Sequence, residues 1–188
     1  ADDTATVLRK IRAADGMPGV ADVVLGLDVR LFDAHPEDDP ALRPATATAG
    51  AVLAQRDGAI LRATRDGAVW ITHLAPVTEE GVGLKLPAAM VLGDRLDGIA
   101  KAPLAPATPV AHATWRPIEY VEEGAVGFLH FPFYNGAMGT AQCEALRAAY
   151  AQAKRRPTRV IALMGGPDFW SNGIHLNLIE AAAHPAEE

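Results

Sequence analysis

Residues 50–74 read GAVLAQRDGAILRATRDGAVWITHL. Three strand-like runs, 50–56, 59–65 and 68–74, are separated by Asp57-Gly58 and Asp66-Gly67. Asp-Gly between alternating apolar runs favours a two-residue hairpin, because both turn positions need positive φ and these residues tolerate it. Two such turns predict a three-stranded antiparallel meander. Side chains alternate along a strand, so Val69 and Ile71 share one face with His73, and Trp70 and Leu74 share the other with Thr72. A meander this short buries a face only against further strands or a helix. Residues 29–32 and 85–92 are the candidate strands for that role, and a small open barrel or sheet results.

Upstream, Thr4 is placed to cap a helix running to about Ala14, with Val7, Leu8 and Ile11 on one face. Asp15-Gly16 and Pro18-Gly19 stop it. Residues 28–35 alternate weakly and read as a strand, and residues 37–49, with Pro40 and Pro44, read as a loop. Downstream, Pro103, Pro106, Pro109 and Pro117 interrupt an Ala- and Thr-rich stretch. Proline fixes φ and removes a donor, so this stretch reads as a semi-extended linker. The division expected is a β-rich module over 1–98, a Pro/Ala linker over 99–117 and a second module over 118–188.

The pattern then changes. Residues 118–121 and 125–131 are strand-like around a turn at Glu122-Glu123-Gly124. Thr140 is placed to cap a helix to about Arg155, with Cys143, Leu146, Tyr150 and Ala153 as its buried stripe. Residues 159–164 form a continuous apolar run, which predicts a strand covered on both faces. Gly165-Gly166-Pro167 breaks it, and a second helix is expected near Leu176.

Hydrophobic residues make up 49% and charged residues 21%, the balance of a folded globular chain. Residues 1–105 carry 11 Lys+Arg against 15 Asp+Glu, and residues 106–188 carry 6 against 8. Neither part has the basic excess that a phosphate backbone demands, which excludes nucleic acid as the expected partner. The lone Cys143 permits no intrachain disulfide and fits a reducing compartment, so a cytoplasmic location is expected. No run is long and apolar enough to suggest a membrane span. His35, His73, His112, His130, His175 and His184 show no paired ligand spacing, so no metal site is expected.

Two loops are candidates for chemistry. Trp170-Ser171-Asn172-Gly173-Ile174-His175 lies between a strand and a helix start, and Gly173 lets backbone approach a ligand without a Cβ. Such a turn suits an oxyanion hole for a thioester carbonyl, although an ordinary glycine turn has the same pattern. Pro132-Phe133-Tyr134-Asn135-Gly136-Ala137-Met138 follows one strand and precedes a helix.

In this order the two loops resemble the crotonase (enoyl-CoA hydratase/isomerase) superfamily. The resemblance implies that the backbone N–H of Ile174, beside Gly173, is an oxyanion donor. It also implies that Asn135, Gly136, Ala137, Met138, Ser171, Asn172, Gly173 and Ile174 line the coenzyme A site. His175 stands where that family has Asp, and Asn172 where it has a small Ala. The first module is similar to the C-terminal domain of methionyl-tRNA-type formyltransferases, through Ile11-Arg12-Ala13, Pro18-Gly19 and the run from Gly50 to Ile71. The implied fold is α+β followed by α/β: a small formyltransferase-C-terminal-like open β-barrel, then the start of a crotonase-like ββα spiral, incomplete within this chain.

That combination resembles the HoxX family of hydrogenase maturation proteins, as its central part. Phe131-Pro132-Phe133-Tyr134-Asn135-Gly136-Ala137-Met138 and Met164-Gly165-Gly166-Pro167-Asp168-Phe169-Trp170 carry the resemblance most specifically. It implies formyl transfer from formyl-tetrahydrofolate to coenzyme A, and then release of carbon monoxide, a ligand of [NiFe]-hydrogenase. Formyl-tetrahydrofolate is expected at a domain preceding Ala1, coenzyme A at the second module. The implied partners are an acyl-CoA, the rest of the same polypeptide and the hydrogenase maturation machinery, with neither nucleic acid nor membrane. The alternatives are a non-catalytic acyl-CoA-binding module and an enoyl-CoA hydratase/isomerase-type enzyme fragment. The 188 residues alone are expected to be inactive.

Overall fold

Helix α1 (Thr4–Ala13) is capped by Asp3, whose carboxylate accepts the Thr6 N–H at 2.7 Å. Thr4, the expected cap, is the first helical residue instead. Its backbone N–H and its hydroxyl both donate to Asp66, at 2.8 and 2.9 Å. The structure is a computed structural model and describes residues 1–43 and 46–184. Pro44 of the expected loop and the last four residues of the expected second module lie outside the described residues. The chain divides into two compact units, Ala1–Pro103 with Val110–Trp115, and Leu104–Pro109 with Arg116–Glu188. The stretch read as a linker is thus shared between them, and each unit is described by itself.

In the first unit the strands are β1 (Val20–Val24), β2 (Leu27–Glu37), β3 (Val52–Arg56), β4 (Ala59–Ala63), β5 (Ala68–Thr78), β6 (Gly81–Val82), β7 (Leu86–Pro87) and β8 (Ala100–Lys101). They form one mixed sheet in the order β1-β2-β5-β4-β3-β8, with β6 and β7 also on β5. All pairings are antiparallel except β3 with β8. The β3-β4-β5 meander is present. Asp57 (φ +45°) and Gly58 (φ +84°) make its first turn left-handed, as the hairpin requires. The second turn differs from expectation: neither Asp66 nor Gly67 takes a positive φ. Thr64 closes a four-residue connection instead, donating its N–H to the Gly67 carbonyl and accepting the Gly67 N–H on its hydroxyl. That leaves the Asp66 carboxylate to receive Thr4.

Residues 85–92 are not one strand. Only Leu86–Pro87 pairs, and α2 (Ala88–Leu92) follows, burying Ala88 and Leu92. A five-residue apolar run serves either a strand or a short buried helix, and Ala, Met and Leu favour the helix. Strand β1 was not expected. Its turn into β2 puts Leu25 at φ +48° before Gly26 at φ +78°, and leucine does not advertise such a position.

Both faces of the meander are buried. Val29, Leu31, Ala34, Ile60, Val69, Ile71 and Leu74 pack together under Ile11 and Leu92. Ala54, Leu61 and Trp70 pack on the opposite face, with Trp115 against them. Leu31 with Ala34, and Ile71 with Leu74, break strict alternation, so Leu74 joins Val69 and not Trp70. The phase shifts at Asp33, a non-glycine residue at φ +51° in the middle of β2. Arg62 on β4 donates to both Asp22 and the Val23 carbonyl on β1, the latter at 3.1 Å, although two strands separate β1 from β4. The sheet is therefore strongly curled.

In the second unit β9 (Glu119–Glu123) and β10 (Val126–His130) form an antiparallel hairpin through Gly124. Helix α3 (Thr140–Ala153) then carries the chain to β12 (Val160–Met164), parallel to β10, which makes a βαβ unit. Gly139, not Thr140, precedes the helix, and its N–H donates to the Gln142 side chain at 2.9 Å. The buried stripe is Leu146, Ala149 and Ala153, while Cys143 and Tyr150 are exposed. Alanine dominates this helix, so hydrophobicity alone leaves its rotation open; the small Ala149 and Ala153 let it sit close on the sheet. Strand β12 has no residue in the buried class: α3 supplies one side of the cover that its apolar run requires, and the other side is exposed.

Candidate functional site

The two loops singled out in the sequence leave the carboxyl ends of adjacent parallel strands, β10 and β12. That edge is where α/β sheets present ligand sites, because the loops there converge. The structure brings the loops together: β11 (Ala137–Met138) pairs in parallel with β13 (Gly173–Ile174), Ala137 opposite Gly173 and Met138 opposite Ile174. Flanking bonds hold the pair, Asn172 N–H to the Gly136 carbonyl at 2.7 Å and His175 N–H to the Met138 carbonyl at 3.0 Å. Helix α4 (Leu176–Ala181) follows directly.

Glycines set how closely the loops meet. Gly136 sits at φ +64°, and a Cβ there would lie 2.6 Å from the Phe169 Cβ and 3.0 Å from the Asn172 nitrogen. A Cβ on Gly165 would lie 2.4 Å from the Trp170 Cα. Asn135 precedes Gly136 at φ +53° and is exposed. Two consecutive left-handed residues turn the chain sharply out of the Tyr134–Gly136 turn and into β11. Gly173 is different. It has φ +83° and nothing within 4 Å of its Cβ position, so its backbone faces open space. Ser171 accepts the Gly173 N–H at 3.3 Å. A group approaching this backbone meets no side chain at residue 173.

The site's wall is apolar. Phe131 and Trp170 make an edge-to-face contact with centroids 5.5 Å apart, and the Trp170 indole donates to the Leu163 carbonyl at 3.0 Å. Trp170, Ile174 and Leu176 are nonetheless 60%, 62% and 71% exposed. His175 is buried beside them, and its carbonyl receives the Leu178 N–H.

The first unit holds a polar network that sequence reading missed. Buried Glu37 accepts the Trp70 indole N–H at 2.6 Å, the Asp39 N–H at 2.7 Å and the Thr114 hydroxyl. Arg56 lies 4.4 Å over the Trp70 ring and donates to the Ala102 carbonyl, the Thr114 hydroxyl and the Trp115 carbonyl. Beside it, Asp33 accepts from His35 at 2.9 Å and from the Thr72 hydroxyl, which in turn meets the His73 ring at 2.7 Å. Burial pushes the Asp33 carboxyl up, but the bond and charge of His35 with the Thr72 hydroxyl outweigh it, and the net direction is down. Only the adjacency of Asp33 to His35 hinted at this in the sequence. The long-range partners Thr72, Thr114 and Trp115 did not.

Comparison with known proteins fits these observations. Residues 1–82 match the family described as formyl transferase, C-terminal domain. The hydrogenase maturation factor HoxX of Bradyrhizobium diazoefficiens is 52% identical over 187 residues, spanning all of this chain and 30% of that protein. The crystal structure of HypX from Aquifex aeolicus in complex with tetrahydrofolic acid superposes with a TM-score of 0.92 at 49% identity, over all of this chain and 32% of that one. The chain is thus similar along its whole length to part of the HoxX and HypX proteins. A second crystal structure, of a HypX variant, gives a TM-score of 0.91 over the same extent. The likeness therefore includes the second unit with its paired loops. The chain spans about a third of the length of these relatives.

Proposed function

We propose that this chain is part of an enzyme that makes the carbon monoxide ligand of [NiFe]-hydrogenase from formyl-tetrahydrofolate. The observation that carries the reading is 52% identity, along the whole of this chain, to about a third of a hydrogenase maturation factor. In this proposal a formyl group passes from the folate nitrogen to the thiol of coenzyme A. Formyl-CoA then breaks its carbon–sulfur bond, giving carbon monoxide and returning the formyl hydrogen to the thiol. The second unit contributes the thioester end of the coenzyme A site: Asn135, Gly136, Ala137 and Met138 on one loop, Ser171, Asn172, Gly173 and Ile174 on the other. The backbone at Gly173 and Ile174 lies against the acyl oxygen. The open approach at Gly173 supports this role. The reaction belongs to a reducing, cytoplasmic setting, with the rest of the polypeptide and the hydrogenase maturation machinery as partners.

Trp170 is half of the wall beside these loops, so its emission reports on them. Titration with coenzyme A is expected to quench it saturably, and Trp170→Phe to abolish the signal. Gly173→Val places a branched side chain at φ +83° in the open approach and is expected to weaken binding at least tenfold. The 188 residues alone are expected to release no carbon monoxide from formyl-CoA. Absence of coenzyme A binding would overturn the site, and carbon monoxide release by this chain would overturn the division of labour.

A further inference from the structure

The cations of the second unit are unevenly placed. Its six Lys and Arg residues are Arg116, Arg147, Lys154, Arg155, Arg156 and Arg159, so four of them fall within residues 154–159. Arg116 is buried and committed to Glu119 and to the carbonyls of Ala105, Pro106 and Thr108. Lys154, Arg155, Arg156 and Arg159 are all exposed. They sit where α3 ends and β12 begins. The paired loops leave the opposite ends of β10 and β12, so this cluster is no part of the site described above.

Helix capping accounts for only part of the cluster. Lys154 is the C-cap of α3, where a cation compensates the helix dipole. Its ammonium also stands 5.3 Å from the centroid of the Tyr150 ring. Arg156 pairs with Glu122 on β9. Among the described residues, Arg155 and Arg159 have no carboxylate partner. Glu123, the other carboxylate at this end of β9, is exposed and pairs with neither. Four cations thus stand against two carboxylates. Crowded like charges repel, and an anion from outside relieves that repulsion. The display is also rigid. Arg155 N–H donates to the Gln152 carbonyl at 3.0 Å, Arg156 N–H to the Ala153 carbonyl at 3.0 Å, and Arg159 N–H to the Ala125 carbonyl at 2.7 Å. A backbone already fixed lowers the ordering cost of binding.

We propose that Lys154, Arg155, Arg156 and Arg159 form a docking surface for an acidic segment of a partner protein. Three of the four are arginines, whose planar forks match carboxylates in bidentate pairs. Size and sign favour an acidic peptide over nucleic acid. Duplex DNA carries one charge per about 1.7 Å of its axis and needs basic surface along its length. This cluster spans only residues 154–159, in a chain of net charge −6. An acidic partner is repelled by the rest of the chain and drawn to this one place, which orients it.

The test is fluorescence anisotropy of a dye-labelled octaglutamate peptide titrated with the whole chain at low salt. A single-stranded DNA oligonucleotide and coenzyme A serve as competing arms. Saturable peptide binding is expected, weakened about tenfold when Arg155→Gln is combined with Arg159→Gln, the effect of losing two exposed ion pairs. Arg155→Lys with Arg159→Lys is expected to keep most of the binding. Arg95→Gln with Lys101→Gln removes the same charge from exposed positions of the first unit and is expected to leave binding unchanged. No saturable binding, equal weakening in the variant of Arg95 and Lys101, oligonucleotide binding at least as tight as the peptide's, or displacement of the peptide by coenzyme A overturns the proposal.

Discussion

Two apolar strands of this molecule have opposite fates. Every residue of β5 from Ala68 to Ala75 is buried, yet in β12, Val-Ile-Ala-Leu-Met, none reaches that class. Composition does not separate them. Position does: β5 lies between β2 and β4, with Ile11 of α1 and Leu92 of α2 on one face and Trp115 on the other. Strand β12 is the edge of a three-stranded sheet, and the buried stripe of α3 covers only part of it. An apolar run states what a strand requires; the layers around it decide whether the requirement is met.

The sharpest way to break this comparison is to delete one large side chain from each strand. Trp70 is fully buried, and Trp70→Ala is expected to cost about 3–5 kcal/mol through the cavity and the lost indole donor to Glu37. Leu163 is 41% exposed, and Leu163→Ala is expected to stay within about 0.5 kcal/mol. Urea unfolding followed by amide hydrogen exchange separates the units, with the amides of β4 and β5 reporting on the first and those of β10 and β12 on the second. Equal losses at the two positions would mean that β12 is covered in solution.

What was legible in the sequence was local. The Asp57-Gly58 turn and the β3-β4-β5 order follow from residues adjacent in the chain, and so does the placing of the two loops at the ends of β10 and β12. What was not legible depended on distant partners. Asp66 looks like a second hairpin residue until Thr4 arrives to use its carboxylate. Residues 110–115 look like linker until Thr114 and Trp115 meet Glu37 and Arg56. The rotation of α3 was ambiguous because alanine is apolar on every face. At the candidate site the two loops were legible as strand-to-helix connections, but their pairing and the steric demand at Gly136 and Gly165 required the opposing loop to be seen.

The paired loops sharpen the comparison within the less covered unit. Gly136→Ala forces a side chain into the left-handed region and toward Phe169, and is expected to cost about 1–2 kcal/mol from the backbone conformation alone. Because the loops are tied at Asn172 and His175, those two amides are expected to exchange hydrogen faster in the variant, while amides of β4 and β5 keep their protection. Unchanged exchange at Asn172 and His175 would show that the pairing does not depend on this glycine.

The smallest expected effect lies in the well-covered unit and depends on pH. Asp33 has its carboxyl held below the ordinary value of 3.8: burial raises it, but the His35 bond and charge and the Thr72 hydroxyl lower it further. A group whose pKa is lower folded than unfolded binds protons more weakly in the native state. Its contribution to stability is present above the unfolded value and is lost as pH falls through the folded one. The window is therefore acidic, from about pH 4 downward. Asp33→Asn removes the titration, so its stability curve is expected to be flatter there than that of the unmodified chain. Asparagine also sits comfortably at φ +51°, which leaves the β2 backbone in place and isolates the charge. The measurement is the urea midpoint of tryptophan emission from pH 6 to pH 3 in both proteins, each carrying Trp170→Phe so that only Trp70 and Trp115 of the first unit emit. Parallel curves would show that the Asp33–His35 pair contributes nothing to acid stability, and that the curled sheet relies on its two covered faces alone.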